Sequence, residues 1–136
     1  MFLCALLIAP RGLSVAQAPK VVNIPVRHTS ATSGKEMFAA YCATCHGKDG
    51  KGDGPVAAAL KARPTDLTVL ARQYNGKFPS IKVAQAITGE AGIPAHGSKE
   101  MPVWGPIFMS MSHQHESVAR LRVANLTDYI KSLQQK

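Results

Sequence analysis

A chain of 136 residues with 46% apolar side chains is long enough for one domain with a modest core and too apolar to be disordered. Its formal charge is +8, yet no block of five or more like charges occurs, which excludes a basic nucleic-acid tail. The diffuse positive charge fits either solubility or attraction to an acidic partner surface or an anionic membrane face.

The chain opens on an apolar run, Phe2 to Ala9, too short to cross a membrane and of the length of a secretory leader's apolar region. Small residues at Ser14 and Ala16 make residues 1–16 a signal peptide cleaved after Ala16; Ala16-Gln17-Ala18 offers a second cleavage point, disfavoured because Pro19 would follow it, and no Lys or Arg precedes the apolar run as a leader's basic start would. The reading is therefore of an exported, periplasmic protein. Residues 17–32, with Pro19 and Pro25, read as an extended lead-in, and 33–136 as the domain. Ser33-Gly34-Lys35-Glu36 has the spacing of a capping box, so a helix starts near 34 and carries Met37, Phe38, Tyr41 and Cys42 on one side. Gly47 to Gly54 is turn-rich. Short helical pieces are expected at about 55–62, 65–73 and 80–88, and the Gly- and Pro-rich segment 88–105 as an irregular loop. Val118, Leu121, Leu126, Tyr129, Ile130 and Leu133 recur at helical steps and predict a last helix with that stripe inward. No strand pattern and no internal repeat stand out. The fold class is all-α.

Cys42-Ala43-Thr44-Cys45-His46 carries the chemistry. A Cys-x-x-Cys-His run is the attachment signal for a c-type haem. Two thiols about one helical turn apart can both form thioethers with one edge of the macrocycle, and the adjacent His can ligate the iron. Export fits this: the thiols would otherwise pair as a disulfide in an oxidising compartment. An iron that only shuttles electrons needs a ligand on its other face as well. The candidates are Met37, Met101, Met109, Met111, His28, His96, His113 and His115. An isolated methionine is more often core filler. Met101, however, stands in a Pro-stiffened loop about 55 residues past His46, long enough to wrap over the far haem face, with His96 as its rival in the same loop.

These elements resemble a class I c-type cytochrome over about residues 33–134. In that family a Gly and an aromatic on the first helix pack against an aliphatic and an aromatic on the last. Gly34 and Phe38 match the first pair, and Leu126 and Tyr129 the second. The resemblance implies the cytochrome c fold, three main helices plus short ones around one covalently bound haem c. It implies that the Pro55 carbonyl accepts the proton of the His46 imidazole, and it matches Met101-Pro102 to the family's ligand loop. Trp104 could donate its indole N–H to a haem propionate or pack against the ring. Arg63 could pair with a propionate or be an ordinary exposed arginine.

The function this implies is a monohaem carrier, not an enzyme, that passes single electrons between respiratory-chain partners, with His46 and Met101 on the iron. Its partners would be redox proteins with acidic docking surfaces and no nucleic acid, and the protein a monomer, free or peripheral to a membrane complex. Lys48, Lys51 and Lys99 could ring the exposed haem edge. Three alternatives stand beside it: a haem enzyme or gas-binding protein with a labile sixth ligand; a subunit fixed in a larger respiratory complex; and a haem-free protein. The last could be a zinc site completed by His113 and His115 or a thioredoxin-like dithiol, which would need a strand leading into the motif.

Overall fold

The computed structural model describes residues 27–90 and 103–135, and every regular element among them is helical. The signal-peptide reading, most of the lead-in, and His96, Lys99, Met101 and Pro102 lie outside the described residues.

Helix α1, residues 34–46, starts where the capping pattern puts it. The Ser33 Oγ accepts from the Glu36 N–H at 3.2 Å, while the Glu36 carboxylate reaches past Ser33 to the Ser30 N–H. Such a cap is worth about 1 kcal/mol. The helix is α-helical over Gly34–Met37 and Ala43–His46, with a π-helical turn over Phe38–Cys42 between them. There the Ala43 N–H bonds to the Phe38 carbonyl, five residues back. The extra residue re-phases the helix, so the face that meets the last helix and the face that carries Cys42 and His46 need not coincide. Such wide turns occur often at functional sites.

Short turns follow at Ala57–Ala59 and Leu67–Val69, the latter running into a one-turn helix α2, Leu70–Gln73. Helix α3 is Ser80–Thr88, α4 is Trp104–Met111 and α5 is Glu116–Ser132. Helix α4 differs from the sequence reading, which ran an irregular loop to residue 105 and assigned no helix between it and the last one. Pro106 is only the third residue of α4, where the backbone N–H has no partner inside the helix, so proline is tolerated there.

Helix α1 packs chiefly on α5, and α5 also takes α3 and α4 against its sides. The α1–α5 crossing is set by Gly34: a Cβ there would overlap the Asn125 carbonyl oxygen and lie 2.8 Å from the Tyr129 Cβ. Phe38 stacks obliquely on Tyr129, ring centroids 5.3 Å apart, and Leu126 is fully buried. Gly34, Phe38 and Tyr129 of the expected crossing therefore meet, and Leu126 belongs to the same buried core cluster as Phe38. Phe38, Phe108, Met37 and Leu126 form the driest part of the core.

The inward stripe of α5 is rotated from the expected one. Leu121 is 43% exposed, whereas Ala119 and Arg122 face inward with Leu126, Thr127 and Ile130. Val118 and Leu133 are only partly buried, and Val123, read as off the stripe, packs against the core. The buried face takes a small residue at 119, opposite α4, and an arginine at 122, which hydropathy periodicity places outside.

Candidate haem site

The carbonyls at the C-terminal end of a helix lack partners inside it. At the end of α1 the Gly-rich loop supplies them. The N–H groups of Gly52, Gly54 and Val56 bond to the carbonyls of His46, Cys45 and Thr44 at 2.8, 3.0 and 3.2 Å. The loop read as a simple turn is thus a cap built from backbone. Gly52, at φ +75°, also has the Pro64 carbonyl against its Cα, where no side chain would fit. The Leu67 N–H bonds to the Gly50 carbonyl at 2.7 Å. Together these contacts bring the returning strand of chain, 64–67, beneath the His46 ring.

That return decides the partner of the imidazole. His46 Nδ1 lies 3.0 Å from the Thr65 carbonyl oxygen. The expected acceptor, Pro55, is exposed and sits where the loop folds back along α1. Reading the nearest downstream proline as the acceptor overlooked that residues 47–56 are committed to capping α1, so the next pass of the chain reaches the ring. Thr65 was missed because a backbone carbonyl leaves no residue-type signature. The carbonyl takes the Nδ1 proton, fixing the tautomer whose lone pair is on Nε2 and raising its basicity as a ligand.

Cys42 and His46 line an apolar cleft that opens to solvent at its mouth. Val83 and Ile87 of α3 and Leu126 and Ile130 of α5, at i,i+4 steps, form two of its walls. Trp104 closes another, buried and stacked on Tyr41 with centroids 4.7 Å apart and planes 28° from parallel. Lys82 lines the mouth, its ammonium 4.7 Å from the centre of the Tyr74 ring. Sequence reasoning missed Tyr74 and Lys82, since neither sits in a motif. Burial, and then the neighbouring Cys45, push the Cys42 thiol up to about 12. A thiol so far from its thiolate is a poor dithiol catalyst, and the motif follows a helix instead of the strand a thioredoxin-like site requires. His113 and His115 are exposed in the α4–α5 turn, and no metal-holding group of His, Cys, Asp or Glu forms among the described residues.

The residues present fit a haem c: two cysteines one turn apart, an oriented imidazole, and an apolar cleft beside them. Of the candidates for the second axial ligand, none that is described lines the cleft. Met37 is buried against Arg122, Met109 and Met111 sit on α4, and His28, His113 and His115 are exposed. Lys48 and Lys51 are exposed on the loop that caps α1, and Arg63 is exposed just before the return.

An all-helical fold with a Cys-x-x-Cys-His helix end opening on an apolar cleft defines a c-type haem protein. The cytochrome c family model matches residues 31–134, and the chain belongs to that family. It is also similar to the cbb3-type cytochrome c oxidase subunit FixP of Azorhizobium caulinodans, 38% identical over 78 residues. Those residues are 57% of this chain and 22% of that protein, so the chain matches about a fifth of its relative's length. No solved structure matches. Among the described residues no helix is long and apolar enough to cross a membrane.

Proposed function

We propose that this cytochrome c carries single electrons between respiratory-chain partners through one haem c, with His46 and Met101 as the axial ligands. The carrying observation is the His46 ring, turned by the Thr65 carbonyl beside Cys42 in an apolar cleft. The haem, when bound through Cys42 and Cys45, supplies the one-electron couple. The chain's own residues do the rest. Thr65 holds the imidazole's orientation and basicity. The walls from α3 and α5 exclude water, which favours the less charged, reduced state. Trp104 packs as part of the wall, where its indole N–H can also serve a propionate.

Support for Met101 comes from elimination among the described methionines and histidines and from its place before Pro102. Replacing Met101 with Ala should abolish the weak near-infrared sulfur-to-ferric-iron band and lower the potential. Survival of that band would assign the ligand to another methionine, and its absence in the wild type would turn the test to His96.

On this reading the protein is exported, works as a monomer and is not an enzyme, and it meets acidic docking surfaces by its charge. Cleavage after Ala16 would remove one basic residue, Arg11, leaving +7. Two ionised propionates bring a ferrous protein to about +5, still enough to steer encounter. A second reading, a subunit held in a larger complex, draws on the similarity to an oxidase subunit. Purification from the exported fraction separates the two: a free carrier runs alone, and a subunit co-purifies with its complex.

A further inference from the structure

Arg122 is the only lysine or arginine buried among the described residues, at 7% exposure. It is held by neutral groups. Its Nη1 donates to the Thr29 carbonyl at 3.0 Å and to the Thr29 Oγ1 at 3.2 Å, and it lies 3.8 Å from the Met37 sulfur, while its Nε has no partner. A guanidinium buried without a carboxylate costs stability, so its position calls for a role.

The hydrogen bonds run onward in one direction. Thr29 Oγ1, accepting from Arg122, is 2.8 Å from the Tyr41 hydroxyl and can donate to it. The Tyr41 hydroxyl donates to the Arg27 carbonyl at 2.5 Å. Each bond polarises the next, starting from a full charge, which makes the chain stiffer than its members alone. Tyr41 is then pinned at its hydroxyl and stacked at its ring on Trp104, which lines the cleft and is backed by Phe108 at 5.5 Å. Arg27 and Thr29 precede the stretch that matches the family, so that match does not account for them.

We propose that Arg122 and Thr29 are positioning residues for the haem cleft: acting through Tyr41, they fix the orientation of the Trp104 wall. The lead-in from residue 27 is then a working part of the haem domain. The proposal rests on the reading of the cleft as a haem site.

The test uses the full, haem-loaded chain with Thr29→Val, Tyr41→Phe, their double variant, Arg122→Met and Arg122→Lys. Thr29→Val keeps the carbonyl to which Arg122 also donates, so it should fold. Trp104 is the sole tryptophan, so its near-ultraviolet circular dichroism reports the wall directly, and the paramagnetically shifted haem-methyl resonances report the cleft. Thr29→Val and Tyr41→Phe should each weaken the Trp104 signal and shift the haem methyls. Imidazole should bind the ferric protein about fivefold more tightly, the effect of losing one buried hydrogen bond. The double variant should add nothing, since both changes cut one chain, and Arg122→Lys, which keeps a charged donor, should restore most of the signal that Arg122→Met loses. Variants that lose stability while Trp104, the methyls and imidazole affinity stay at wild-type values would overturn the proposal and leave the network a structural brace. Absence of covalent haem from the purified protein would instead overturn the cytochrome reading, and the Trp104 signal would still judge the network.

Discussion

Gly34→Ala sets two effects of opposite sign against each other. Helix propensity alone favours alanine by up to about 1 kcal/mol, and less at a helix's first residue, where backbone bonding is incomplete. The crossing opposes it. The new Cβ would overlap the Asn125 carbonyl oxygen and lie 2.8 Å from both the Asn125 carbonyl carbon and the Tyr129 Cβ. None of these atoms can rotate away. Asn125 is further tied by its amide to the Ala31 carbonyl at 3.1 Å and the Leu121 carbonyl at 3.0 Å. Relief therefore requires α1 to move off α5, which would also open the Phe38–Tyr129 contact. Overpacking of this kind costs about 1–3 kcal/mol, so the net loss should be about 1–2 kcal/mol. In a domain of about 100 residues each kcal/mol lowers the melting temperature by roughly 4–8 °C. Thermal melts of the haem-loaded protein should therefore show a drop of the order of 5–15 °C, larger for Gly34→Leu. A melting temperature equal to or above wild type would refute the close-crossing argument and leave propensity in charge.

The rotated face of α5 predicts a contrast: Leu126→Ala should cost about 2–5 kcal/mol, whereas Leu121→Ala should stay within about 0.5 kcal/mol in denaturant titrations. Asp66 caps the turn at Leu67–Val69, and the Thr68 hydroxyl, with smaller help from Lys51 and Arg72, holds its carboxyl below the usual range. A lowered folded-state pKa adds stability above the ordinary carboxylate value and loses it as pH falls through the lowered one. Asp66→Asn should thus be slightly less stable than wild type at neutral pH, and the gap should close in acid, as followed by melts across that pH range. Electron transfer to an acidic partner should slow with rising ionic strength, and replacing Lys48, Lys51 and Lys99 with Glu should slow association far more than it moves the potential. A stopped-flow rate indifferent to both would place the docking surface elsewhere.

What the sequence made legible followed from side chains with a fixed chemical meaning. Cys42, Cys45 and His46 are read from spacing, Ser33 and Glu36 from capping chemistry, and Gly34 with Phe38, Leu126 and Tyr129 from a resemblance that rests on their order. What stayed hidden was carried by backbone or by context. The Thr65 carbonyl, the Gly52 and Gly54 amides and the π-helical turn before Cys42 belong to no residue type. Helix α4 was masked where the Gly- and Pro-rich stretch to Gly105 runs into it, since a glycine in a helix's first turn reads as loop in composition. Arg122 was missed because a charged residue reads as outward-facing unless its acceptors are known, and those acceptors sit 93 residues earlier in the chain.

The placement of these hidden contacts has a mechanical consequence. The haem motif ends a helix, and helix ends fray unless their carbonyls are bound. Here the loop takes up the carbonyls of Thr44, Cys45 and His46, and the return through Thr65 takes the imidazole. The two supports share a hinge, because the Gly50 carbonyl holds Leu67 while Gly52 passes under Pro64. A substitution at Gly52 would therefore disturb both the end of α1 and the tilt of the His46 ring, whereas one at Pro55, exposed beyond that hinge, would disturb neither ring nor return. For an iron whose potential depends on the basicity and orientation of its ligand, the ligand's environment is set here through a backbone group, the Thr65 carbonyl.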